Sequence, residues 1–204
     1  FIAEDLESGG RDIESVALGD VDGDGDIDIV VGNNYDDFFN TLPGEDTDQT
    51  NQLIRRNGIN GGFIAKDLEG GDRSTYSVAL GDVDGDGDMD IVVGNWGSFY
   101  GSGEAIQLLR QDDNDWFIAD YLDGGDKRTR SVALGDVDGD GDIDIVVGNS
   151  VGWNGSANQL LRQDGNGTFI AEDLESGGRD IESVALGDVD GDGDIDIVVG
   201  IGNW

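Results

Sequence analysis

Four stretches of the chain place a carboxylate at every second position. Asp20, Asp22, Asp24, Asp26 and Asp28 alternate with small or apolar residues, and the pattern returns at Asp82, Asp84, Asp86, Asp88 and Asp90. It recurs at Asp136, Asp138, Asp140, Asp142 and Asp144, and again at Asp188, Asp190, Asp192, Asp194 and Asp196. Each stretch reads D-x-D-x-D-G-x-x-D. With the first Asp as position 1, side-chain oxygens fall at positions 1, 3, 5 and 9. A glycine at position 6 permits the sharp turn, and the backbone carbonyl of position 7 (Asp26, Asp88, Asp142, Asp194) points inward. Such a cage of hard oxygens suits calcium, and about four ions are expected. Magnesium, which prefers a smaller cage with several waters, or no metal at all, are the alternatives. Without a cation the carboxylates repel one another; with one the loop is locked.

Other chemistries find less support. An EF-hand shares the early spacing, but position 12 would be Val31 where such loops use a bidentate Glu, and the Ile-Val-Val-Gly exit is a poor helix. The chain has no His and no Cys, which removes Ser/His and Cys/His relays and His-ligated metals. The abundant Asp could in principle form a glycosidase pair, yet the four loops are alike and their carboxylates are committed to metal. No enzyme is expected.

The loops recur at spacings of 62, 54 and 52 residues, a period typical of propellers and solenoids. Ser-Val-Ala-Leu-Gly-Asp leads into each loop and Ile/Met-Asp-Ile-Val-Val-Gly leads out, so the acidic repeats occupy 15–33, 77–95, 131–149 and 183–200. A loop of variable length follows, then Gln-Leu-Leu/Ile-Arg from Gln52, Gln107 and Gln159. Phe-Ile-Ala-x-x-Leu comes last, at Phe1, Phe63, Phe117 and Phe169. These short β-rich runs between Gly, Asp and Asn turns predict strands A to D of an antiparallel meander. Strand B is apolar on both faces, as in a sheet sandwiched between neighbours. Strand A mixes Val and Leu with Ala and Gly, small enough for a crowded centre. The expected fold is all-β: a β-propeller of four-stranded antiparallel blades, three full and a split or incomplete fourth, forming one domain over residues 1–204. The Phe of each D strand is expected to pack.

Asp-x-Asp-Gly-Asp-Gly-Asp-x-Asp-Ile-Val-Val-Gly-Asn resembles the FG-GAP/VCBS repeat of integrin α-type calcium-binding β-propellers, over essentially the whole chain. The resemblance implies that the cation loop joins the first two strands of each blade. It also implies that the calcium pins that hairpin and that the module serves adhesion at the cell surface or outside the cell. Family propellers typically have seven blades, more than the repeats here supply. Phe1–Gly32 is identical to Phe169–Gly200, and the chain begins at Phe1, as a processed product or a segment of a longer array would. An incomplete terminal blade also invites self-association, up to a head-to-tail filament.

A formal charge of −35 carries no basic stripe for nucleic acid, and apolar runs are too short to span a membrane. Glycine is abundant, at 36 of 204 residues, so turns here depend on it. Opposite the acidic loops, the B–C and D–A connections gather aromatics and bases: Tyr35, Trp96, Tyr100 and Trp153 beside Arg73 and Arg128. Lys127, Arg130 and Arg179 are expected in the same D–A loops. Rings beside guanidinium groups suit stacking on sugars and pairing with carboxylate or sulfate, so carbohydrate or an extracellular protein is the expected partner. Wedging of these aromatics between blades is the competing reading. Asn154 and Asn166 head N-glycosylation triplets.

Overall fold

The computed structural model describes residues 12–34, 50–57, 62–71, 73–97, 103–111, 116–150, 157–174 and 179–202. Among the described residues every regular element is a strand, so no helix is present that could cross a membrane. β1 (Asp12–Gly19), β2 (Asp28–Asn34), β3 (Gln52–Asn57) and β4 (Gly62–Asp67) form the first sheet in chain order. The second is β5 (Thr75–Gly81), β6 (Asp90–Asn95), β7 (Gln107–Gln111) and β8 (Phe117–Tyr121). The third repeats it with β9 (Thr129–Gly135), β10 (Asp144–Asn149), β11 (Gln159–Gln163) and β12 (Phe169–Asp173). The last two strands, β13 (Ile181–Gly187) and β14 (Asp196–Ile201), form a hairpin by themselves. All pairings are antiparallel, as the predicted A–B–C–D meander requires, and no sheet closes on itself. The D strand expected at Phe1 lies outside the described residues.

The A strands start earlier than the Ser-Val-Ala-Leu motif suggested. β1 begins at Asp12 and β9 at Thr129, which puts Arg130 in a strand and not in a D–A loop. A bulge explains the hidden extension. The β1–β2 register shifts between Ile13 and Ser15, and the other three hairpins shift at the equivalent place. An extra residue there breaks the period of two that sequence patterning relies on.

Packing follows from the doubly apolar B strand. Ile91, Val92 and Val93 are all fully buried, because the second sheet is covered on both faces. One core joins Val21, Val30 and Leu53 of the first unit to Val78, Ile91, Leu109 and Phe117 of the second. The next joins Val83, Val92 and Leu108 to Val132, Ile145, Leu161 and Phe169, and a third joins Val146 and Leu160 to Ile181 and Val184. Each fully buried side chain of this kind contributes roughly 1.5–3 kcal/mol. The first strands lie closest, β1 against β5, β5 against β9 and β9 against β13. A serine hydroxyl on each A strand accepts the next unit's valine N–H: Ser15 from Val78, Ser77 from Val132 and Ser131 from Val184, each at 3.1 Å.

Phe63 corrects an expectation. Phe117 and Phe169 pack into the cores, but Phe63 is 41% exposed. Its two counterparts bury against the preceding sheet, and Phe63 belongs to the first sheet described.

Candidate metal centres

Each acidic loop is the turn of an A–B hairpin, held at both ends by ladder pairs such as Gly19↔Asp28 and Gly81↔Asp90. Inside the turn the carboxylates organise the backbone that carries them. The position 1 carboxylate accepts the N–H of the position 6 glycine, from Gly25, Gly87, Gly141 and Gly193 at 3.0–3.1 Å. Position 3 accepts from position 5, and position 5 from position 7, in all four loops. These are consecutive Asx turns. They demand left-handed backbone at two glycines: Gly25 has φ 90° and Gly23, at position 4, has φ 68°. The second of these was not recognised from spacing alone.

Carboxylate oxygens converge in every loop. In the first, third and fourth loops positions 1, 3 and 9 come together: Asp20, Asp22 and Asp28; Asp136, Asp138 and Asp144; Asp188, Asp190 and Asp196. In the second loop the group is positions 1, 3 and 5, namely Asp82, Asp84 and Asp86. Within each group the oxygens lie within 4.8 Å of one another. Asp24, Asp140, Asp192 and Asp90 stand outside these groups, as do the position 7 side chains of Asp26, Asp88, Asp142 and Asp194. Two unit charges at such a separation repel by about 3 kcal/mol at an effective dielectric near 20. Asp20 also keeps one oxygen, Oδ1, buried without a hydrogen-bond partner. A hard cation bound among these groups would satisfy both features, so the residues present fit a calcium-type ion.

The position 9 Asp does more than supply an oxygen. Oδ2 of Asp28, Asp90, Asp144 and Asp196 accepts the N–H of the valine that opens its own loop, at 3.0–3.1 Å. Oδ1 of the first three accepts a backbone N–H at the end of the C strand, from Arg56, Gln111 and Gln163. Burial pushes the Asp90 carboxyl up to about 6, against its two backbone donors. Asp28, Asp84 and Asp144 are raised in the same direction, chiefly by burial.

A cation from the protein itself already leans on three of the loops. Arg55, Arg110 and Arg162, on equivalent C strands, pair with the position 3 carboxylates Asp22, Asp84 and Asp138 at 3.2, 3.5 and 2.9 Å. The recurrent Arg of the Gln-Leu-Leu/Ile-Arg segment carried that signal, but its partner depends on how strands C and A–B register. The fourth hairpin has no C strand among the described residues, and its Asp188 and Asp190 are exposed.

On the other connections, Trp96 and Arg128 are brought together and Arg73 is not. Trp96 stacks on Tyr76 with centroids 4.9 Å apart, and the guanidinium groups of Arg130 and Arg128 lie 4.6 and 5.4 Å from its ring. Arg73 donates to Glu104 Oε2 at 2.5 Å and to the Tyr121 hydroxyl at 3.3 Å. Asn166 is exposed between β11 and β12, with its side-chain amide donating to the Asp164 carbonyl. Tyr35, Tyr100, Trp153 and Asn154 lie outside the described residues.

The fold and the loops define a class: an all-β repeat protein whose successive sheets each carry an acidic, cation-type turn on the first hairpin. Two segments place it within that class. Residues 74–106 match the FG-GAP repeat and residues 149–199 match the FG-GAP-like repeat, so the chain carries repeats of the FG-GAP family over these two segments. A comparison with curated proteins gave no significant match.

Proposed function

We propose that the chain is a calcium-binding β-propeller module of an extracellular protein, working by recognition and adhesion and not by catalysis. The observation that carries this reading is the fourfold recurrence of a converging Asp cluster at the same hairpin of successive sheets. The side-by-side A strands, rich in small residues, suit the centre of a propeller. Millimolar calcium outside cells suits open, exposed loops of modest affinity. The partner is a carbohydrate or an extracellular protein, met by the connections opposite the calcium loops. There Trp96 and Arg128 offer a ring beside a cation, and the sequence of the same B–C and D–A connections also carries Tyr35, Tyr100, Trp153 and Arg73. In a secreted eukaryotic setting Asn154 and Asn166 would be glycan acceptors. A second reading, a protomer in a calcium-stabilised head-to-tail assembly, is favoured by the exposed apolar faces at the two ends of the sheet succession.

The test is retention of the protein on immobilised neutral and acidic glycans and extracellular-matrix proteins in millimolar calcium. Retention on one class, lost on chelation and weakened about tenfold by Trp96→Ala (about 1.4 kcal/mol), is expected. Absence of retention on every surface would reject recognition as the function.

A further inference from the structure

The contact between one sheet and the next is built the same way three times, from a socket and a set of knobs. The socket is made by two glycines. A Cβ on Gly32 would lie 2.7 Å from Thr75 and 3.0 Å from Val78, and one on Gly19 would lie 3.0 Å from Leu80. At the next contact Gly94 receives Thr129 and Val132, and Gly81 receives Leu134; at the third Gly148 receives Ile181 and Val184, and Gly135 receives Leu186. Both halves of this joint occur once more with no mate among the described residues. A Cβ on Gly187 would meet nothing within 4 Å, and one on Gly200 would meet only Ser183 of its own hairpin. Around them Val189 is 69% exposed and Val198 45%, although the equivalent Val83 and Val92 are fully buried. At the other end Ile13, Val16 and Leu18 are exposed, the last two at 59% and 66%. These three are the counterparts of Ile181, Val184 and Leu186, residue for residue, within a stretch of identical sequence.

We propose that a second copy of this chain docks head to tail, its β1 knobs Ile13, Val16 and Leu18 entering the Gly187/Gly200 socket of the first copy's β13–β14 hairpin. This rests on the second reading above, the head-to-tail assembly, and names its interface; it does not depend on the recognition reading. The knobs are the side chains that already fill the Gly135/Gly148 socket inside the chain, so shape complementarity is established by the third internal contact. Ser183 is exposed and stands where Ser15, Ser77 and Ser131 accept a valine N–H, ready to accept that of Val16.

Two features limit the strength of this contact. On the first sheet Val31 and Ile54 are already buried, so the contact is confined to the inner strands, and small interfaces give weak, concentration-dependent association. Charge opposes it as well. Arg130 pairs with Glu182 across the third contact at 2.6 Å, and the residue that would follow in the same column is Glu14. With each copy at −35, association strengthens with screening salt and with calcium.

Light scattering and sedimentation across a concentration series, in millimolar calcium and high salt, test the proposal. Wild type is expected to grow in mass with concentration. Leu18→Asp, which blocks the knobs, and Gly200→Val, which fills the socket, each remain monomeric. Both sites are exposed, and melting curves confirm that the variants fold. Mixed in equal amounts, the two give a 1:1 dimer that grows no further, because each contributes its one intact face. Glu14→Arg tightens wild-type association several-fold. A wild-type chain that stays monomeric at every concentration overturns the proposal, since the two faces then meet within one chain or belong to neighbouring repeats. Self-association that both variants retain, or a mixture that stays monomeric, also overturns it.

Discussion

Asp90 shows what a cation must work against in these loops. Its side chain is fully buried, donors from Val83 and Gln111 hold its two oxygens, and burial still pushes its carboxyl up to about 6. Keeping such a group ionised near neutral pH costs the metal-free fold about 3 kcal/mol relative to an ordinary carboxyl of 3.8. The sign of the pH effect follows. A raised carboxyl adds stability that is fully present below its ordinary value and is lost as pH rises through about 6. Asp28, Asp84 and Asp144, raised in the same direction, act alike. Calcium requires the ionised form, and Asp84, which lies in the converging group of the second loop, is raised like Asp90, so affinity for that loop should fall between about pH 7 and about pH 5. Metal-stripped protein should become more stable over the same change. Calorimetric titration at the two pH values checks this, and equal affinities would sink it. The donor pattern of this site was legible in the sequence because Asp at alternate positions leaves few other readings. The bracing of the position 9 Asp by Val83 and Gln111 was not, since it depends on a strand that arrives from 21 residues away.

At the scale of the elements, the glycines that end the A and B strands set how closely two sheets approach. Gly94 leaves room for Thr129 and Val132, and a Cβ there would lie 2.6 Å and 3.1 Å from their methyl groups. Neither neighbour can yield easily, because both are themselves buried. Gly94→Ala should therefore cost about 1–3 kcal/mol by overpacking. Gly200→Ala, in the same register but facing no further sheet, should change stability by less than about 0.5 kcal/mol. Urea denaturation of the two variants separates them, and equal losses would show that the glycines serve the strand and not the contact. The strand order was readable from repetition alone, since four copies of one motif average out local ambiguity. The bulges were hidden because one extra residue leaves composition unchanged and only disturbs the alternation. The exposure of Phe63 was hidden for a different reason: burial of a repeated residue depends on whether a neighbouring unit stands beside it, and repetition cannot report that.

For the whole molecule the governing quantity is charge held at short range. Twenty of the 46 acidic residues sit in the four loops, and eleven bases elsewhere cannot offset them. Arg55, Arg110 and Arg162 each neutralise one carboxylate in the first three loops, leaving the fourth to solvent. Four calcium ions would change the formal charge only from −35 to −35 + 8 = −27, so their effect is local, in the loops. A site filled to ten times its dissociation constant adds about 1.4 kcal/mol to the folded state, and four independent sites add about 5–6 kcal/mol. That is comparable with the whole stability of an ordinary domain, about 5–15 kcal/mol. Removing calcium at neutral pH should therefore lower the melting temperature by more than about 10 °C, given about 2–4 °C per kcal/mol at this size. Monovalent salt should restore only part of the loss, because ions at a Debye length of about 8 Å screen the net charge but cannot replace a cation bound between carboxylate oxygens that lie within 4.8 Å of one another. Melting curves in calcium, in chelator, and in chelator with added sodium chloride decide the matter. Full recovery in salt would mean that general repulsion limits this fold and the loops are not metal centres. Recovery by calcium alone would place the stability of the array in its four turns.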